Sequence, residues 1–195
     1  MGLQHFRLHR KCSRRSRDLI PRPAVDISSL CTGERQYPLY RTIDGAVLTS
    51  EGESNLDCAI TFQTDSILKR FVLRFETLSL DCHDHIAIFD GAHATGLSKV
   101  ANLSCGSSPA DVGEISIQGN FGTLKYTTDN ESPQGSGFKL VITAYRNRFT
   151  DQMPDLKCQD FQCNNTLCIS SNLTCDGVNH CGDNSDETSH ASCSH

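Results

Sequence analysis

Cys158-Gln-Asp-Phe-Gln-Cys163-Asn-Asn-Thr-Leu-Cys168, followed by Cys175-Asp176-Gly177, Cys181-Gly-Asp183-Asn-Ser185-Asp186-Glu187 and Cys193, gathers six cysteines around a cluster of acidic residues. The apolar residues of this stretch are few: Phe161, Leu167, Ile169, Leu173 and Val178. A segment this short cannot bury enough apolar surface to hold itself together, so cross-links and a bound ion must supply the stability. Cross-links at this density form and persist in an oxidising compartment.

The spacing resembles the low-density lipoprotein receptor class A module, with Phe161 ahead of the second cysteine, Ile169 after the third, and Cys175-Asp176-Gly177 leading to Ser185-Asp186-Glu187. Sequence by itself does not rank the pairings of six cysteines. The resemblance implies Cys158 with Cys168, Cys163 with Cys181 and Cys175 with Cys193, each bond contributing about 2–4 kcal/mol. It also implies a small, calcium-dependent module with little regular structure. Crowded carboxylates repel one another until a cation neutralises them, and calcium takes hard oxygen donors. The implied side-chain ligands are Asp176, Asp186 and Glu187, joined by the backbone carbonyls of Leu173 and Val178, with Asp183 bracing the loop.

Two positions depart from the family pattern. The residue before the fifth cysteine is usually Asp and here is His180, a nitrogen donor that suits zinc or copper better than calcium. The ring that family members use to clamp a partner's lysine is replaced by Leu173, removing a cation–π surface worth about 0.5–2 kcal/mol. The expectation is weakened calcium binding, with Asn179 or water substituting, and a module that serves as spacer more than as ligand grip. A disulfide-held, metal-free module is the alternative.

Upstream, residues 147–156 form a polar stretch with Pro154 that neither alternates nor repeats and reads as a linker, which places the module at 157–194. Before it, apolar residues alternate in short runs: Ala59–Phe62, Phe71–Phe75, Ile86–Phe89, Glu114–Ile117, Gly122–Tyr126 and Phe138–Tyr145. Leu73 with Phe75, Ile86 with Ile88, and Leu140 with Ile142 fall on one face each, as two packed antiparallel sheets require. No helical periodicity stands out. The reading is all-β: an antiparallel sandwich followed by the cysteine-rich module.

Asn55-Leu-Asp-Cys58, Asp84-His-Ile-Ala-Ile-Phe-Asp90-Gly91, Asn102-Leu-Ser-Cys105-Gly106 and Gly137-Phe138 give residues 31–146 a resemblance to the CUB domain, a jelly-roll-like sandwich. The resemblance implies disulfides Cys31 with Cys58 and Cys82 with Cys105, leaving Cys12 as the odd one of 11 cysteines. Two family features are missing: the tryptophan two residues after the second cysteine is Ile60, and Tyr37-Pro38 sits too early for the usual Tyr-Pro. Many such domains hold calcium at one end of the sandwich, and the aligned carboxylates are Asp81, Asp84 and Asp129, with Glu76 competing for the place of Asp81. The alternative is ordinary acidic turns, in which Asp90 belongs. Transition-metal ligation by Cys82-His83-Asp84-His85 is disfavoured, because a cysteine committed to a disulfide offers no thiolate and two strand histidines lack a third ligand.

Sequons at Asn102, Asn130, Asn164 and Asn172 suit passage through the secretory pathway. Residues 1–30 read as a basic, disordered arm without the apolar core of a secretory signal. The net charge of −5 makes the remainder acidic and disfavours nucleic acid as a partner. No run of about 18 apolar residues occurs, so membrane association is expected only through an anchor not present in this chain. Together these features predict a non-catalytic extracellular protein, an adaptor or receptor or co-receptor ectodomain of the kind seen in neuropilin-and-tolloid-like auxiliary receptors. It would bind an extracellular or cell-surface protein partner through a Ca2+-ordered sandwich face. A regulatory fragment of a secreted or membrane-bound serine protease is the alternative. A cargo receptor is disfavoured because a lone module lacks the avidity of repeats.

Overall fold

The computed structural model describes residues 24–31, 39–131, 133–147 and 158–193. Two sheets face one another. In the first, a long strand β10 (Gly137–Asn147) is flanked on one side by β5 (Arg70–Ser79), which in turn carries β8 (Glu114–Ile117). On its other side β10 pairs with β3 (Gly45–Ser50). The second sheet has five strands, ordered β2 (Leu39–Thr42), β4 (Asp57–Gln63), β9 (Phe121–Thr127), β6 (His85–Asp90) and β7 (Lys99–Leu103).

Alternation along each strand decides which residues enter the core. Cys58, Ile60 and Phe62 of β4, Phe71, Leu73 and Phe75 of β5, Ile86 and Ile88 of β6, Leu124 and Tyr126 of β9, and Phe138, Leu140 and Ile142 of β10 make one continuous buried cluster. Phe138 meets Phe75 and Tyr126 edge-on, at ring separations of 5.9 and 5.3 Å. Burial pushes the Tyr126 phenol up to about 12. All six runs expected from the sequence are strands; Glu114–Ile117 keeps its expected bounds, and the other five extend one to four residues further at each end.

Three details differ from the sequence reading. Residues 24–30 do not belong to a disordered arm: β1 (Val25–Asp26) runs parallel to β3, and the one-turn helix α1 (Ile27–Cys31) inserts Ile27, fully buried, into the core. A second one-turn helix, α2 (Pro109–Val112), is capped by Ser108, whose hydroxyl accepts from the Asp111 amide. Helices of one turn leave too little periodicity to be read from sequence. The last sandwich strand runs through Asn147, across the expected linker boundary. The rest of that linker, residues 1–23 of the arm, and Cys12 lie outside the described residues.

The cysteine-rich module is built onto the first sheet. Its hairpin, β11 (Phe161–Gln162) and β12 (Leu167–Ile169), joins β10, with Tyr145 opposite Ile169 and Asn147 opposite Leu167. Since β5 already occupies the other side of Tyr145, β12 continues the row begun by β3. The side of this sheet that points away from the core is buried too: Val72, Tyr145, Ile169, Leu173 and two module cysteines form one cluster, and Val47, Val141 and Val178 form another. The described residues contain no helix long and apolar enough to cross a membrane.

Candidate functional site

Five disulfides fix the two units: Cys31–Cys58 and Cys82–Cys105 in the sandwich, Cys158–Cys168, Cys163–Cys181 and Cys175–Cys193 in the module. They join the same pairs that the two resemblances imply. Each unit gathers a group of acidic side chains.

At one end of the sandwich, Cys82 pins the turn that precedes β6. Asp84 is buried there at 1% exposure, and its Oδ1 accepts from the Asp129 amide at 3.3 Å. Burial, together with the neighbouring charges of Asp129 and Asp81, holds its carboxyl above the ordinary carboxylate range. Asp81 accepts from the His83 amide at 3.0 Å, and this bond, with the imidazole beside it, lowers its carboxyl. The His83 ring lies across two carboxylates, its Nδ1 3.2 Å from Asp81 and 3.4 Å from Asp129. Ligand atoms of Asp81, His83 and Asp129 all fall within 4.8 Å of one another. His83 belongs to the turn, not to a strand beside His85, and so it does meet two further donors; the extended-strand reading missed this because the turn closes through Asp84 N–H to Asp81 C=O. Glu76 is not part of the group. It pairs with Lys139 at 2.7 Å on the flanking strands.

In the module the acidic residues split into three roles. Glu187 accepts from the amides of Asp176 and Gly177 at 3.0 and 2.7 Å, which fixes the turn after Cys175. Asp183 accepts from the Ser185 amide and hydroxyl and from the Asn165 amide, tying two loops together. Its burial acts upward, but these bonds outweigh it and hold the carboxyl below the ordinary range. Asp176 and Asp186 are the buried pair. Asp186 accepts at Oδ2 from the amides of His180 and Cys181 at 2.6 and 3.2 Å, and burial nonetheless raises its carboxyl. One oxygen of each, Asp176 Oδ2 and Asp186 Oδ1, is buried with no hydrogen-bond partner among the described residues.

A buried carboxylate oxygen without a partner is costly and marks a place where a cation fits. The module's donor set therefore fits calcium at Asp176 and Asp186, while Glu187 is already engaged by backbone amides. Val178 accepts from the His180 amide at 2.9 Å, leaving its carbonyl a second lone pair. His180 is 1% exposed, with Nε2 3.6 Å from Asp176 Oδ2 and Nδ1 2.8 Å from Thr143 Oγ1 of the sandwich. The sequence gives no hint of that partner. Val47, Val72, Val141 and Tyr145, apolar residues at outward-facing strand positions, are the signal that something covers this face.

The four sequon residues Asn102, Asn130, Asn164 and Asn172 are all exposed. Asn130 follows directly on Asp129.

Residues 156–193 match the family model of the low-density lipoprotein receptor domain class A. Among solved structures, the full extracellular region of zebrafish Gpr126/Adgrg6 is similar at 17% identity over 55% of this chain and 14% of that one, with a TM-score of 0.43. The CUB1-EGF-CUB2 domain of human MASP-1/3 is similar at 19% identity over 54% of this chain and 40% of that one, TM-score 0.43. The CUB1-EGF-CUB2 domains of rat MASP-1 give 13% identity over 68% and 52%, TM-score 0.46. This chain thus spans about half or less of each of the three. No curated protein sequence matches it. The carboxyl-terminal unit is a low-density lipoprotein receptor class A domain, carried on a two-sheet sandwich whose two disulfides are those of the CUB resemblance.

Proposed function

We propose that the chain is a non-catalytic extracellular interaction protein that grips a cationic side chain of an extracellular or cell-surface protein at the sandwich end carrying Asp81, Asp84 and Asp129, in loops ordered by calcium. The observation that supports this reading is the convergence of Asp81, His83 and Asp129 over the buried Asp84. Three carboxylates in one small volume repel one another, and Asp84 is buried, so a divalent cation would relieve both costs. The charge left over after one cation binds would favour a Lys or Arg from a partner, an attraction that weakens with salt. His83, mostly exposed and lying across Asp81 and Asp129, occupies the position that such a cation or side chain would take. Five disulfides require an oxidising environment, which agrees with residence outside the cell. The small module, fastened to the sandwich, extends the unit instead of swinging from it.

Flow cytometry with fluorescently labelled chain tests the reading. Binding to receptor-bearing cells is expected to need calcium and to fall at least tenfold in Asp129→Ala, whose side chain is part-exposed and outside the core. Binding that persists at full strength both in chelator and in Asp129→Ala would refute the sandwich-end mechanism.

A further inference from the structure

The residues that would hold the module's cation are also those that dock the module on the sandwich. Leu173, fully buried, packs with Val72 and Tyr145, and Gly45 must lack a side chain to admit it: a Cβ there would stand 2.8 Å from Leu173 Cδ2 and 3.0 Å from His180 Cε1. Val178 closes against Val47 and Val141. The His180 ring bonds Thr143 at 2.8 Å. Arg74 of β5 donates from Nη2 to the carbonyls of Asn179 and His180 at 2.8 and 2.7 Å, while Glu114 holds its Nη1 at 3.0 Å. On the opposite side of that peptide, the amides of His180 and Cys181 reach Asp186. The segment 173–181 is therefore held between the outer face of the sandwich and the two carboxylates that each keep a buried oxygen free of hydrogen bonds among the described residues.

We propose that the sandwich is a working part of the module's calcium site, with Thr143 and Arg74 as its positioning residues, so that calcium binding and docking stabilise each other. The inference rests on reading Asp176 and Asp186 as calcium ligands. Asp176 and Asp186 are held by the amides of Val178, His180 and Cys181, so setting them round one ion requires the 173–181 backbone to be ordered, and ordering costs conformational entropy. Docking has already met that cost when the ion arrives, and the ion meets it when docking comes second. The coupling is reciprocal by necessity. At position 180 a cage charge has been exchanged for an imidazole whose far nitrogen is fastened to the neighbouring unit, so rigidity replaces part of the lost Coulombic attraction.

The experiment follows amide hydrogen exchange of the full chain through a calcium titration, in wild type, Thr143→Val and Arg74→Met. In wild type, calcium is expected to protect residues 173–187 and also the Arg70–Phe75 and Thr143 region of the sandwich. Loss of one hydrogen bond corresponds to roughly fivefold in an equilibrium constant, so the calcium midpoint for 173–187 should rise by about threefold or more in each variant. Exchange in β4, β6 and β9 should stay as in wild type; if Thr143→Val alone disturbs it, Arg74→Met, a change on the outer face, decides. Midpoints shifted by less than threefold would overturn the coupling. Absence of calcium-dependent protection at 173–187 in wild type would overturn the calcium reading itself, a separate outcome.

Discussion

Along β5 alone the sandwich buries Phe71, Leu73, Phe75 and Leu78 against the facing sheet, whereas the whole module from Cys158 to Cys193 buries Ile169, Leu173 and Val178 besides two cysteines. Ile169 and Leu173 share one cluster with the module's Cys163 and Cys181 and the sandwich's Val72 and Tyr145, and Val178 packs with Val47 and Val141 of the sandwich. The small unit therefore completes its interior with the outer face of the larger one. Disulfides constrain its chain, and Val47, Val72, Val141 and Tyr145 supply the apolar contacts that its own sequence cannot. A unit of this size is expected to lean on metal and cross-links; here a third support, a neighbouring sheet, carries part of the load.

The comparison breaks most visibly in the sandwich core. Phe138→Ala removes the ring that touches Phe75 and Tyr126 and is expected to cost about 3–5 kcal/mol, read as a lower midpoint in denaturant. Because the module's contacts are on the same strand, its exchange protection should fall in the same transition. Separate transitions would show that the module stands alone.

A smaller and more local effect is expected when the module's own constraint is removed. Cys163→Ser combined with Cys181→Ser opens a loop of sequence separation 18 and should cost about 3 kcal/mol in chain entropy. Protease should then cut within residues 158–193 while the sandwich strands keep their exchange protection. Equal loss of protection in β4 and β9 would mean that the dependence runs both ways.

Smallest is the acid response of the loop staple. The Asp183 carboxyl lies below its ordinary range when folded, so the unfolded chain binds its proton first as pH falls. Its contribution is complete above the ordinary value near 3.9 and is lost as pH drops through the folded value. Comparison of wild type with Asp183→Asn in thermal melts should therefore show a difference at pH 6 that shrinks toward pH 3. The carboxylate is largely exposed, so solvent screening keeps the difference small. A difference independent of pH would assign the effect to lost packing instead.

Much of the fold is readable in the chain because alternation and cysteine spacing are local signals. Six strands follow from period-two apolar runs, and the five sulfur pairs from family spacing. The chain hides what depends on distant partners. β3 escapes because Gly45-Ala-Val-Leu-Thr-Ser mixes small and apolar residues on both faces, and both faces are in fact covered. The roles of His180 and Leu173 escape because each is legible only as a departure from a pattern, while its actual neighbours, Thr143 and Gly45, lie far along the sequence. Asp81, Asp84 and Asp129 could be aligned, but His83 among them could not, since the four-residue turn Asp81–Asp84 sets its direction.

The pairing of Leu167–Ile169 with Tyr145–Asn147 has a practical corollary. A fragment ending after β10 would present an unsatisfied row of amides and carbonyls beside a bare aliphatic surface of Val47, Val72 and Val141. That combination invites strand addition from another molecule and from there oligomers and fibres. The cysteine-rich unit covers both that edge and that surface, and preparations that lack it are expected to be recovered as aggregates.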